Sequence, residues 1–360
     1  MSLAAFDPDT LLKRLSHRPY HLLDVMIPVL EPRLYQAPIL SPRASSLGRL
    51  SKLPPEILCI ILGMLDIQSI QQLSYVSFHG YTLVLSQPQY RDLRKYVPEA
   101  LLALRMTRQS HLHSVQALHA ALRLQRCAAC PYFGAYLFLP ACERCCWQCL
   151  SYNPSFRMVP PKEAQKYFGL SARQVQQLPS LHVIPAKYGI SEKSVSDCTL
   201  VSARAAKELG LARHGSKEAL IAVMTRRCKS IKLRIEGQFF QREPPQDGSD
   251  PLLLLDEGNT PNDVFFGVAS IPFPTLSSSG ILEEGLWCRG CELTFESWRF
   301  GQLPQQVVDR IIPQNIDPLL PFLGFSRRAW LKASFLKHVE QCWGTKQPTL
   351  MRELERGTRE

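Results

Sequence analysis

The sequence has no apolar run near the roughly 18 uninterrupted residues that a membrane-spanning helix needs, so no membrane segment is expected. Its first ten residues, MSLAAFDPDT, carry acids where an export signal needs a basic and then an apolar run. Asn153 is followed by proline and the other asparagines lack Ser or Thr two places on, so no glycosylation acceptor argues for secretion. There is also no G-x-S-x-G elbow, phosphate loop, H-E-x-x-H helix or GxGxxG fingerprint, and no internal repeat. These absences predict an intracellular chain, nuclear or cytoplasmic, that is not an enzyme in its own right.

Cysteine and positive charge are abundant. Twelve cysteines without an export signal are expected to stay reduced and to serve metals, catalysis or packing. Lys and Arg number 42 against 31 Asp and Glu, a formal +11 over 360 residues, which predicts attraction to an acidic partner. Residues 151–240 hold fifteen Lys and Arg against six Asp and Glu, so +9 of that surplus is concentrated in one quarter of the chain.

Proline-punctuated residues 1–48 read as an irregular leader. Within 49–95, Leu53, Ile57, Ile60, Ile61, Met64 and Leu65 fall at helical spacing behind Pro54 and Pro55. Ile67, Ile70, Leu73 and Val76 form a second stripe, with Asp66 as N-cap between the two. Residues 96–125 continue as a helical connector with Leu101, Leu104, Leu112, Val115, Leu118 and Leu122 as core candidates. Then come a cysteine-rich and basic α+β unit (126–235), a long loop with short strands (236–285), a second cysteine-bearing unit (286–343) and a charged tail (344–360). The fold class expected is α+β, an N-terminal helical unit joined to a zinc-stabilised, irregular C-terminal region.

The spacing Cys127-x2-Cys130-x15-Cys146-x2-Cys149 is that of two knuckles giving four thiolates to one tetrahedral zinc. Cys142 and Cys145 compete as the second pair. Four protein ligands leave no open position, which makes the site structural. A second set joins Cys288-x2-Cys291 to His338-x3-Cys342, the latter two on one face of an apparent helix. Two structural zinc ions are therefore expected. Losing a ligand of the first set should unfold the C-terminal half and leave the helical unit competent. Cys59, Cys198 and Cys228 read as core thiols, and His111, His113 and His119 as surface residues of one helix.

Residues 50–84, LSKLPPEILCIILGMLDIQSIQQLSYVSFHGYTLV, resemble an F-box, with Leu53, Pro54 and Glu56 at its start and Val76-Ser77 before its last helix. Phe78 and Tyr81 stand where the family usually has a Trp. The resemblance implies docking on the Skp adaptor, and through it a cullin, by Leu53, Pro54, Ile57, Ile61, Leu65 and Leu73. Beyond it, FGAYLFLPACERCCWQCL, KYFGLSARQVQQLP, HGSKEALIAVMTRRC and GLWCRGCE are similar to a family of fungal F-box proteins with a cysteine-rich C-terminal region.

Cys146 and Cys149 leading into Lys162-Glu163-Ala164, and then Gly215-Ser216 and Glu218-Ala219-Leu220, also resemble the DNA-binding core of the xeroderma pigmentosum group A repair protein. That likeness favours Cys146 and Cys149 over Cys142 and Cys145. The basic surplus adds a candidate phosphate-binding stripe including Lys162, Lys217, Arg226 and Arg227, with Tyr167 or Phe168 to stack on an unpaired base. The function expected is a ubiquitin-ligase adaptor that holds an unidentified protein substrate through its C-terminal region; the alternative is a DNA-binding or chromatin-associated zinc protein.

Overall fold

A computed structural model describes residues 3, 6–23, 26–28, 48–189, 193–227, 239–240, 265–314 and 316–357. Helices and small antiparallel sheets alternate through them, an α+β fold.

Helix Pro55–Met64 starts on prolines whose missing N–H groups cost a first helical turn nothing. Asp66 caps Ile67–Val76, accepting from the Ser69 amide at 2.8 Å, and Ser77 caps Phe78–Ser86 through the Gly80 amide at 3.0 Å. The first helix packs inward through Leu58 and Leu62. Ile57, Ile60 and Met64, read from the sequence as a packing stripe, are 43%, 60% and 68% exposed. Spacing alone did not identify the inner face, because PEILCIILGM is apolar nearly all round.

The connector is two helices, Pro98–Met106 and Val115–Arg123, rather than one. Between them Arg108 adopts a left-handed φ of 59°. The following turn ties the helical unit down: the Ile67 amide donates to His113 O and the Val115 amide to Leu65 O, both at 3.0 Å. His113 is buried and its Nε2 lies 2.6 Å from Leu139 O, while His119 lies 3.0 Å from Asp92. Neither is the free surface residue expected.

One apolar core runs from Leu62, Ile67, Ile70 and Val84 through Leu101 and Leu118 to Phe138, Trp147 and the first four-cysteine set. Strand Tyr136–Phe138 lies at its centre, paired antiparallel with Glu143–Cys145 and with Ser270–Pro272. Of the short strands expected within 236–285, one is Ser270–Pro272; residues 241–264 lie outside the described residues. A separate core, with Val159, Tyr167, Phe168, Leu220, Met224 and Phe239, forms the basic unit around the sheet 158–159, 199–202 and 180–182.

The leader and tail differ from their sequence reading. Pro8–Leu15 is a helix capped by Asp7, and Ser16–His17 pairs with Leu286–Cys288. The tail forms helix Pro348–Gly357, which buries Leu350 and Leu354 in the same core as Leu11, Leu15, Cys288 and Cys291. Each helix supplies only two core leucines among charges, too few to register as a period in the sequence.

Arg144 closes the first core, almost fully buried, with its guanidinium donating to the carbonyls of Gly134, Ala121, Pro274 and Phe273. It also sits over the rings of Phe133 and Phe273. Burial lowers its pKa to about 9, so it remains charged at neutral pH. Arg144→Met would strand these carbonyls without a donor, at about 3–5 kcal/mol. The expected result is a correspondingly lower denaturant midpoint at an unchanged slope.

Candidate metal centres

The structure gathers two sets of side chains that can hold a metal ion. Ligand atoms of Cys127, Cys130, Cys146 and Cys149 lie within 4.8 Å of one another, all four residues buried. Those of Cys288, Cys291, His338 and Cys342 do the same, with only His338 partly exposed. Among the described residues these are the two such groups.

Local structure aims each sulfur. The Cys127 amide donates to Tyr132 O at 2.8 Å, turning the first knuckle, and the Ala129 amide reaches Cys127 Sγ at 3.4 Å. Cys146 caps helix Trp147–Tyr152, its sulfur accepting from the Cys149 amide at 3.4 Å. Cys142 sits just outside, in a left-handed turn (φ 52°) after Leu139–Ala141, and Cys145 ends a strand opposite Tyr136. The choice left open by spacing thus falls on Cys146 and Cys149.

In the second group, Cys288 ends strand Leu286–Cys288, Cys291 lies in helix Arg289–Arg299, and His338 belongs to helix Lys332–Gln341 with Cys342 at its C-cap. The knuckle presses against the turn Gly344–Lys346. A side chain at Gly290 would come within 2.5 Å of the Thr345 amide and 3.0 Å of Cys342 Sγ, which explains the glycine.

Cys130 and Cys146 sulfurs are 3.5 Å apart, and Cys342 Sγ lies 3.9 and 3.8 Å from those of Cys288 and Cys291. Cys291 Sγ is 3.1 Å from His338 Nε2. These separations far exceed a disulfide bond of about 2.05 Å. They approach the edge, about 3.8 Å, of a tetrahedron with metal–sulfur bonds of about 2.3 Å.

Charge points the same way. Hydrogen bonds from Cys130, Cys146 and Cys149 hold the Cys127 thiol well below its usual range, and the protons shared with Cys127 and Cys130, with burial, raise Cys146 and Cys149. In the second group, Cys288 and Cys291 stabilise the Cys342 thiolate, and Cys291 is raised. Only a cation lets all the sulfurs ionise together. Binding of a metal ion here would therefore release protons and strengthen as pH rises.

The two groups are linked by residues 327–330. Arg327 lies over Trp147, beside Cys146, at 4.1 Å, and Arg328 lies over Tyr132, just after the first knuckle, at 3.7 Å. Ala329–Trp330 pairs with the strand leading to Cys288, and Trp330 stacks on His338 with ring centres 4.2 Å apart. Trp330→Ala frees the His338 ring. It is expected to weaken the second group's metal affinity roughly tenfold or more, as outer-layer substitutions around ligands do, and to leave the first group's unchanged. Competition with a chromogenic chelator measures both.

Pro54 and Ile57 are exposed, Leu53 and Ile61 half-buried, and Leu65 and Leu73 half-buried against the main core. Ile60, Met64, Tyr75, Val76 and Phe78 of the same stretch are also exposed, and sequence reasoning did not assign them to docking. Lys162 and Arg226 are exposed; Lys217 lies 5.4 Å from the Phe240 ring; the Arg227 side chain and residue 228 lie outside the description. Tyr167 and Phe168 pack on Phe239 at 5.4 and 5.1 Å and are buried, so neither ring is free to stack on a base.

Comparison with protein families, with curated proteins and with solved structures yields no match to this chain. No helix among the described residues is long and apolar enough to cross a membrane.

Proposed function

We propose that this chain is a substrate-recognition adaptor of a cullin RING ubiquitin ligase, docking on the Skp adaptor through residues 50–78 and presenting a zinc-stiffened body to a protein substrate. One observation supports this most directly. Of the twelve large apolar side chains that are exposed among the described residues, seven lie in that short stretch: Leu50, Ile57, Ile60, Met64, Tyr75, Val76 and Phe78. A concentration of exposed apolar side chains on short capped helices is what a partner interface requires.

Zinc suits both groups, because soft thiolates with one imidazole in four-coordinate sets are its usual structural ligands. Neither set has a position left for water, so the ions would brace the fold. Catalysis would belong to partner proteins. The adaptor supplies proximity, turning a slow encounter between a substrate lysine and the ubiquitin carrier into an effectively intramolecular one.

The competing reading, a DNA-binding zinc protein, draws on exposed Lys162 and Arg226 and the basic surplus of 151–240. Salt separates the two. Gel filtration of the full chain with the Skp adaptor at 0.1 and 0.5 M salt should give the same co-eluting peak, whereas phosphate-driven DNA binding would fall by orders of magnitude. No co-elution at either salt, with salt-sensitive DNA retention instead, would replace the adaptor reading by the other.

A further inference from the structure

Arg327 caps the C-terminus of helix Leu319–Ser326, and its backbone is held on both sides. Its amide donates to Leu323 O at 3.2 Å, and its carbonyl accepts from the Trp287 indole at 3.0 Å. The guanidinium lies over the Trp147 ring at 4.1 Å, and among the described residues no carboxylate, carbonyl or hydroxyl accepts from it. The side chain is half-buried; burial lowers its pKa to about 10, so it stays charged at neutral pH. A partly buried cation with five unused donors is costly unless something accepts from it.

Further donors gather beside it on helix Trp147–Tyr152, which Gln148 ties to the helix before Arg327 by donating from its side chain to Gly324 O. Trp147 and Ser151 stand one turn apart on a shared face. The indole N–H of Trp147 and the hydroxyl of Ser151 are buried without a partner among the described residues, and so is the hydroxyl of Tyr136 on the central strand. The charge of Arg327 acts on the Tyr152 and Tyr136 phenols, which places both near it, and the Tyr152 ring meets Trp147 edge-on at 6.5 Å. Arg327 and Tyr152 are half-buried, so the cluster reaches solvent through them.

The set is rich in donors: one guanidinium, one indole N–H and three hydroxyls, against the single orphaned carbonyl oxygen of Gln148. Buried polar groups are as a rule satisfied, and donors around one cation are satisfied by an anion of one charge. The planar fork of a guanidinium matches a carboxylate in two parallel hydrogen bonds, and one positive charge does not balance a phosphate dianion. The rings of Trp147 and Tyr152 suit an apolar group behind the carboxylate.

We propose that Arg327, with Trp147, Ser151, Tyr136 and Tyr152, binds a carboxylate carried on an apolar group, either the C-terminal carboxylate of a protein segment or a small organic acid. Its use in capturing a ligase substrate rests on the adaptor reading above; the binding does not. The test is calorimetric titration of the full-length, metal-loaded chain at pH 7, in buffer free of phosphate and carboxylate and without the Skp adaptor. The probes are benzoate, inorganic phosphate, and a heptapeptide ending in Phe as the free acid and as the C-terminal amide. Benzoate, the peptide acid or both should bind saturably and at least tenfold more tightly than phosphate, and the amide should not bind. Tighter binding of the peptide acid identifies a chain terminus as the source, and tighter binding of benzoate a small acid.

Arg327→Met should weaken binding at least tenfold. Tyr152→Phe removes one hydroxyl and keeps the ring; it should weaken binding severalfold at an unchanged thermal transition, so the test holds even if Arg327→Met destabilises the chain. The Trp147 indole N–H resonance, assigned by its absence from Trp147→Phe, should move downfield on binding. No saturable carboxylate binding, tighter binding of phosphate, or full binding by both variants would overturn the site and leave these donors to ordered water. Carboxylate binding without capture of the Skp adaptor keeps the site and removes the ligase reading; capture without carboxylate binding does the reverse.

Discussion

Cys149→Ser is expected to remove metal from the first group and to abolish the cooperative unfolding transition of the whole central body. Structural zinc contributes an apparent 10–16 kcal/mol at about pH 7 in small metal-dependent modules, comparable to the roughly 5–15 kcal/mol of net stability of an entire domain. A serine hydroxyl replaces a thiolate poorly on a soft-ligand site. The effect should not stop at the knuckles. Cys127, Cys130, Cys146 and Cys149 share one core with Leu62, Ile67, Ile70 and Val84 of the helical unit. The sequence reading, in which the helical unit survives loss of this site, treated the two as separate bodies; the continuous core argues for joint loss.

Far- and near-UV circular dichroism through a thermal ramp, with metal content measured on the same sample, checks this. Cys142→Ser is the control. Its thiol is half-buried but outside the ligand set. It should keep both metal and transition within about 1 kcal/mol.

Ile57→Asp/Ile60→Asp is expected to abolish capture by the Skp adaptor with little change in fold. Both side chains already stand in water, at 43% and 60% exposure, so the free chain loses little by the change. In a complex each isoleucine would bury about 1.5–3 kcal/mol of apolar surface, and each aspartate would add an unpaired buried charge. A combined loss of about 5 kcal/mol or more is at least a thousandfold in affinity. Leu58→Asp is the contrasting substitution: Leu58 faces the core, so this change should destabilise the fold. Pull-down titration with circular dichroism of each variant separates lost docking from lost fold.

The metal groups were the most legible part of the sequence. CxxC pairs fix two sulfurs within a few residues, and His338-x3-Cys342 places two ligands on one helical turn, so local geometry suffices to propose them. Spacing left Cys146 and Cys149 level with Cys142 and Cys145; the likeness to the repair protein's core favoured the former pair, and the left-handed turn at Cys142 keeps that thiol outside the set. The helical unit was legible in its caps, Pro54–Pro55 and Asp66, but not in its facing. A helix apolar on several sides takes its inner face from partners distant in sequence, here the connector turn at His113–Val115.

The same distance hid the roles of leader and tail. Leu11 and Leu15 find Leu350 and Leu354 across most of the chain's length, and no local pattern announces a contact of that separation. Arg144 carried no sequence signal either, since its partners are backbone carbonyls.

The most direct test of the account is stoichiometry. The full-length chain, co-expressed with the Skp adaptor and purified through it, is weighed as the intact complex and assayed for zinc. The account predicts a one-to-one complex carrying two zinc ions per chain. A chain that retains two zinc ions but elutes alone, with the Skp adaptor elsewhere in the gradient, would contradict it.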